Sequence, residues 1–207
     1  MTLAGKSVVV LGSSSIGEGG SGTLGRALHA LLPHTTLTFI GRSGYGFAGA
    51  AANRFAGTEQ QRKTLLEELH AAGPADYVLV VMGSNPTGSP VELEAAMRWF
   101  ATQVGLSRVL WVGPPVYADA DSQKITNTYE ALGPALLGMH YVSSQSWTDR
   151  TAGRTADKVH FTPDGAQRWG RYIVGWAQGQ TASSWSTTLV AAVAGVAALL
   201  LYLRRNR

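Results

Sequence analysis

Four short stretches of the chain hold residue types that nucleophilic acyl chemistry uses. Gly12-Ser13-Ser14-Ser15 sets three hydroxyls in a Gly/Ser-rich run directly after an apolar segment. Gly44 and Gly46 follow a second apolar segment, Gly83-Ser84-Asn85 follows a third, and Asp157-Lys158-Val159-His160 comes late in the chain. A serine hydroxyl is a poor nucleophile until a base takes its proton. Imidazole titrates near neutrality and can both accept that proton and return it. A carboxylate three residues away can meet the ring from one tight turn, fix its tautomer and stabilise the imidazolium. A side-chain amide and a glycine N–H are donors suited to a developing oxyanion. Each residue also has a plain structural use. Ser14 and Asn85, the latter before Pro86, are turn formers. His160 beside Phe161 suits a hydrogen-bonded core position, and Asp157 a solvated one. The remaining histidines, His29, His34, His70 and His140, fall on helices or strand starts and read as structural. No pair of them has metal-ligand spacing with a carboxylate, so neither a metal nor another cofactor is expected.

These stretches must be brought together by the elements between them. Lys6–Leu11, Thr36–Ile40, Tyr77–Met82, Arg108–Val112 and His140–Val142 are short apolar runs rich in β-branched residues, as buried parallel strands are. Helical spacing covers Thr23–Leu32, which Pro33 stops, and Pro90–Val104 and Ser122–Leu137. Ala48–Ala72 is expected to be helical with an interruption near Gly57 and Thr58 as a cap. Pro163–Gln178 is a last helix with Thr162 as its cap. Strands alternating with helices predict a flavodoxin-like three-layer α/β/α fold with about five parallel strands. In such a sheet the ligand crevice lies beyond the carboxyl ends of the strands, where the loops carrying Ser14, Gly44 and Asn85 belong.

The order of these motifs along the βα series resembles the SGNH hydrolase (GDSL-like) family. That family has Gly-Asp-Ser after the first strand, a glycine after the second, Gly-x-Asn-Asp after the third, and Asp-x-x-His near the end. The match runs from residue 6 to about 175. The resemblance implies a serine esterase forming an acyl-enzyme on Ser14, the third position counting from Gly12. His160 would be the general base and Asp157 its orienting carboxylate. The backbone N–H of Ser14, Gly44 and the side chain of Asn85 would form the oxyanion hole, with Gly46 a near neighbour of Gly44. The family's first Asp is Ser13 here and its second is Pro86; neither replaced residue transfers the proton. By topology, Tyr45, Phe47, Pro114, Pro115, Val116 and Tyr117 should line the substrate crevice. The expected substrate is an acyl or acetyl ester of a lipid or a cell-envelope carbohydrate.

Two other readings compete. Gly17-Glu18-Gly19-Gly20-Ser21-Gly22 formally matches the dinucleotide pattern G-x-G-x-x-G, with Arg42 available for a 2′-phosphate. The pattern begins five residues beyond the strand's terminal glycine, which puts the tight turn in the wrong place, and it leaves Asp157 and His160 unexplained. The second alternative is a hydrolase fold kept as a non-catalytic binding or assembly module at a membrane.

Composition sets the outer bounds. The 207 residues are 45% hydrophobic and include no cysteine, so a packed core is expected and disulfides are excluded. Of the formal charge of +4, Arg204, Arg205 and Arg207 account for most; about +1 remains for the rest, no footprint for sequence-specific nucleic-acid binding. No signal peptide is expected at Met1–Lys6. Thr187–Leu203 carries no charge and is mostly Ala, Val and Leu. As a helix it spans about 25 Å against a hydrocarbon core of ~30 Å. Trp185 precedes it, and Tyr202 and the arginines close it, which is the dress of a C-terminal transmembrane helix. The expected organisation is therefore 1–178 hydrolase domain, 179–186 linker, 187–203 single membrane span and 204–207 basic tail. Ala191, Gly195 and Ala198 would permit pairing of two such helices in a homo-oligomer. The side of the membrane stays open: the basic tail favours a cytoplasmic end, yet nothing at the N-terminus directs export. An internal virion membrane would satisfy both facts.

Overall fold

The computed structural model describes residues 3–82, 85–132 and 138–179. Five strands alternate with five helices: β1 (Ser7–Gly12), α1 (Thr23–Leu31), β2 (Thr36–Gly41), α2 (Glu59–Ala71), β3 (Tyr77–Val81), α3 (Pro90–Val104), β4 (Val109–Val112), α4 (Ala120–Leu132), β5 (His140–Val142) and α5 (163–179). The strands form one sheet in the order β2-β1-β3-β4-β5, and every neighbouring pair is parallel. This is the expected three-layer α/β/α arrangement.

The pleat of the strands divides the core in two, because successive side chains point to opposite faces. Val9, Leu11, Val78, Val80, Val109 and Trp111 face one side and pack with Leu65 of α2, Met97 and Phe100 of α3, and Tyr129 of α4. Val8, Val10, Leu79, Val81, Leu110 and Val112 face the other and pack with Leu24 and Leu28 of α1 and Trp169 and Ile173 of α5. Strands buried on both faces must read as unbroken apolar runs, and these do.

α1 and α5 therefore share a face. They touch at Gly170, where an added Cβ would lie 2.9 Å from Leu31 Cδ1 and 3.6 Å from both Ala27 Cβ and Leu24 Cδ1. That contact matters for the site, since α1 follows the Ser14 loop and α5 follows His160.

Caps fix the helix starts. Ser89 and Glu92 form a capping box at α3 with Pro90 in the first turn, and Thr58 and Gln61 form another at α2. The expected helix over Ala48–Ala72 is thereby corrected: only Glu59–Ala71 is helical. Residues 48–57 are irregular because tertiary bonds outcompete helix propensity. Gly46 N–H donates to the Asn53 carbonyl, Phe55 N–H to that of Gly46, and Ala56 N–H to that of Phe47. The N–H groups of Phe47 and Ala48 both turn to the Thr87 hydroxyl, at 3.1 and 3.2 Å. α4 begins at Ala120, two residues before its expected start; its expected end, 133–137, lies outside the described residues.

The expected transmembrane helix 187–203, its linker from 180 onward and the basic tail also lie outside the described residues. Among the described residues no helix is long and apolar enough to cross a membrane.

Leu28 is fully buried between α1 and the sheet, whereas Val91 on α3 is 78% exposed. Leu28→Ala is expected to lower the free energy of unfolding by about 2–5 kcal/mol, and Val91→Ala to stay within about 0.5 kcal/mol. Urea unfolding followed by circular dichroism measures both.

Candidate active site

The chain reverses sharply between Thr155 and His160. Thr155 N–H donates to the His160 carbonyl at 2.9 Å, and Arg154 and Phe161 form an antiparallel bridge just outside. Lys158 completes the reversal with φ 58°, the one described non-glycine residue in the left-handed region. Such backbone is uncommon for a side-chain-bearing residue and is held by what surrounds it.

What surrounds it is the Asp157 carboxylate. Its Oδ1 accepts from the Thr155 hydroxyl at 2.6 Å and from the N–H groups of Val159 and His160 at 2.9 and 3.0 Å. Its Oδ2 meets His160 Nδ1 at 2.7 Å. The Thr155 hydroxyl, then the His160 ring, then the two amides stabilise the ionised form, so the carboxyl is held far below its usual 3.8. Both side chains remain about half exposed, at 44% for His160 and 50% for Asp157. The ring is thus oriented by hydrogen bonds from its own turn rather than by burial.

The other ring nitrogen, His160 Nε2, lies 3.0 Å from Ser14 Oγ, the hydroxyl of a residue 146 positions away. Asp157, His160 and Ser14 therefore form a continuous hydrogen-bonded series. Of the three adjacent serines, Ser14 makes this contact. Ser13 is fully buried, and its hydroxyl has no partner among the described residues. The turn after β1 closes on Ser13's carbonyl, which accepts from Ile16 and Gly17 N–H, and this leaves Ser14 at its outer edge.

The two further loops are tied to each other. Asn85 is half-buried, and its Nδ2 is a buried donor without a partner among the described residues. A buried polar atom without a partner calls for an explanation. Two residues on, Thr87 ties this loop to the one after β2 through Phe47 and Ala48. An oxygen that accepts two N–H bonds has its lone pairs occupied. The Thr87 proton therefore goes to Tyr129 Oη, 3.1 Å away in the core. The two glycines after β2 differ in what makes them glycine. Gly46 is forced by packing, since a Cβ there would sit 1.7 Å from the Pro86 carbonyl oxygen; its N–H is committed to Asn53. Gly44 has open space around it, and its φ of 77° is the constraint.

The expected crevice lining needs correction. Phe47 is fully buried, its ring 4.7 Å from that of Trp111 and 5.6 Å from that of Phe100. Pro115 is buried as well, its carbonyl bonded by the Thr126 hydroxyl at 2.9 Å. Tyr117 is buried under the Arg154 guanidinium, 4.8 Å from its ring centroid. Apolar side chains at strand ends gain more from the core than from the crevice. Tyr45 stays half-buried, against Phe55 at 5.3 Å. Thr155 was not foreseen; a threonine two residues before an Asp-x-x-His gives no signal until the turn brings its hydroxyl to the carboxylate.

The dinucleotide reading loses its donors. Leu24 and Gly25 N–H, at the start of α1, both turn to the Ser15 carbonyl, at 2.9 and 3.2 Å, instead of facing an open phosphate site. Arg42 is paired with Glu68 and lies over the Tyr45 and Phe55 rings.

No family model and no curated protein matches the chain. Solved structures do. A lipase/acylhydrolase from Enterococcus faecalis superposes with a TM-score of 0.64 at 17% identity, over 84% of this chain and 96% of that one. A carbohydrate acetylesterase from Sinorhizobium meliloti gives 0.57 at 18% identity, over 82% and 97%. The C-terminal catalytic domain of a peptidoglycan O-acetyltransferase from Streptococcus pneumoniae gives 0.54 at 14% identity, over 86% and 95%. The chain therefore has the fold of the SGNH-type lipases, acylhydrolases and acetylesterases.

Stability should follow the Asp157 carboxyl. A group whose folded pKa is depressed contributes fully above its unfolded value, here 3.8, and its contribution is lost as the pH falls toward the folded value. Thr155→Val removes the largest stabiliser of the carboxylate and should move the Asp157 titration up toward 3.8. Carbon-13 NMR titration of that carboxyl reads the shift directly.

Proposed function

We propose that this chain is a serine esterase that works through an acyl-enzyme on Ser14. The observation that carries the reading is the series Asp157–His160–Ser14, with contacts of 2.7 and 3.0 Å. Ser14 Oγ attacks the ester carbonyl carbon while its proton passes to His160 Nε2. Asp157 holds the ring with Nδ1 protonated and stabilises the imidazolium that forms. The oxyanion accepts from Asn85 Nδ2 and from the N–H groups of Gly44 and Ser14. This role gives the buried Asn85 amide, which has no partner among the described residues, its acceptor. The tetrahedral intermediate collapses, and the departing alcohol takes the proton from His160. Water then attacks the acyl-enzyme by the same relay, releasing the acid and restoring Ser14.

The substrate we assign is an acyl or acetyl ester of a lipid or a cell-envelope carbohydrate. The names of structures with this fold, an acylhydrolase, a carbohydrate acetylesterase and a peptidoglycan O-acetyltransferase, support that range. The uncharged run 187–203 with its terminal arginines would hold the domain to a bilayer as a single-pass C-terminal anchor.

A fluorophosphonate probe tests the nucleophile. It should modify Ser14, mapped by mass spectrometry, and leave Ser14→Ala unlabelled. Ser14→Ala and His160→Ala should each lose roughly 10³-fold or more in p-nitrophenyl acetate hydrolysis. Asn85→Ala should lose roughly 10²–10³-fold in kcat. An unlabelled protein that leaves acetyl and longer acyl esters intact would reduce the fold to a binding module.

The anchor has its own test. The full chain should float with phosphatidylcholine/phosphatidylglycerol vesicles in a sucrose gradient, and a chain ending at residue 179 should stay at the bottom. Equal behaviour of the two would remove the anchor.

A further inference from the structure

Arg154 sits at the entrance to the Asp157–His160 turn. It is buried, and three of its hydrogen bonds run to carbonyl oxygens. Its Nη1 donates to Val159 at 2.7 Å, its Nη2 to Val116, and its Nε to Asp149 at 3.3 Å. The guanidinium carbon also lies 3.7 Å from the centroid of the Phe161 ring and 4.8 Å from that of Tyr117.

The arrangement has one direct consequence. Val159 and Phe161 are the chain neighbours of His160 on either side. Val116 and Tyr117 belong to the loop that follows β4. One side chain thus grips both flanks of the imidazole and fastens them to a loop at the carboxyl edge of the sheet. Burying a cation is costly unless its donors are satisfied, and an apolar side chain of similar volume would fill the same space without that penalty. What the guanidinium adds is a planar fork that bonds several carbonyls while stacking between two rings. A lysine ammonium has neither the fork nor the plane.

We propose that Arg154 is a positioning residue for His160, holding the imidazole at proton-transfer distance from Ser14. The proposal rests on the reading of Ser14 and His160 as nucleophile and base. The turn itself is closed by Asp157 and Thr155, so losing the guanidinium leaves the turn intact and frees it to shift relative to the sheet. A displacement of about 1 Å at a reacting pair is enough to slow a reaction on the order of a hundredfold.

The test compares the unmodified full chain with Arg154→Lys and Arg154→Met. Three quantities are read: the rate of fluorophosphonate labelling, the kcat and KM for p-nitrophenyl acetate, and the thermal midpoint. A fourth is the low-field proton resonance of the His160–Asp157 hydrogen bond. The expected result for folded Arg154→Lys is a labelling rate and kcat lowered roughly 10–100-fold, with KM changed about twofold at most. The low-field resonance should persist, because the bond lies within the turn. Arg154→Met should fall at least as far. Labelling of either folded variant within about twofold of the unmodified rate overturns the proposal. So does failure of both variants to fold, which would make Arg154 a determinant of folding and not of position. Failure of the esterase reading shows itself elsewhere, as an unmodified protein that does not label at all, and the proposal falls with it.

Discussion

The approach of His160 Nε2 to Ser14 Oγ at 3.0 Å is the contact on which the proposed chemistry depends, and no local feature of the chain can produce it. It follows from the way a parallel sheet delivers loops. β1 lies inside the sheet, between β2 and β3, so its carboxyl end is flanked by the loops that follow both neighbours. α1 leaves that end and packs on one face, and α5 packs beside it on the same face. The turn that precedes α5 therefore arrives over the loop that precedes α1. The separation of the two loops is then a matter of how closely the two helices approach.

The electrostatics of the site follow a different rule from its topology. The carboxylate and imidazole are half exposed, so the surrounding medium contributes little to holding them. Four hydrogen bonds to Asp157, all from residues 155–160, do that instead. The carboxylate satisfies donors that the left-handed Lys158 backbone would otherwise leave pointing outward, so the strain of the turn and the ionisation of the acid support each other. Arg154 then links this self-closed unit to the sheet edge through backbone carbonyls, which do not titrate.

Much of this is legible in the sequence, for physical reasons. Strands buried on both faces must be apolar throughout, which marks β1, β3 and β4. Capping boxes at Thr58 and Ser89 mark two helix starts because few residue types satisfy free N–H groups. The Asp-x-x-His spacing is readable because its bonds are local. Failures arise where a distant partner decides. Residues 48–57 have a helix-like, alanine-rich composition, yet the N–H groups of Ala48, Phe55 and Ala56 are claimed by Thr87, Gly46 and Phe47. Phe47 and Tyr117 follow strands, as crevice residues do, and only the packing of Trp111 and Arg154 shows that they turn inward. Nothing near Ser13 in sequence shows that its hydroxyl is sealed off while that of Ser14 faces the histidine.

The absent side chain at Gly170 bears on all of this. It lets α5 settle against Leu24, Ala27 and Leu31, and α5 follows directly on the turn that holds His160. Sheet and turn can each be sound while Ser14 and His160 are out of reach of each other, because the interval between them depends also on the seating of one helix on another. The proposed chemistry would then depend on a helix–helix joint, and a methyl group inserted at the middle of α5 would be felt about two turns away, at the turn before its first residue.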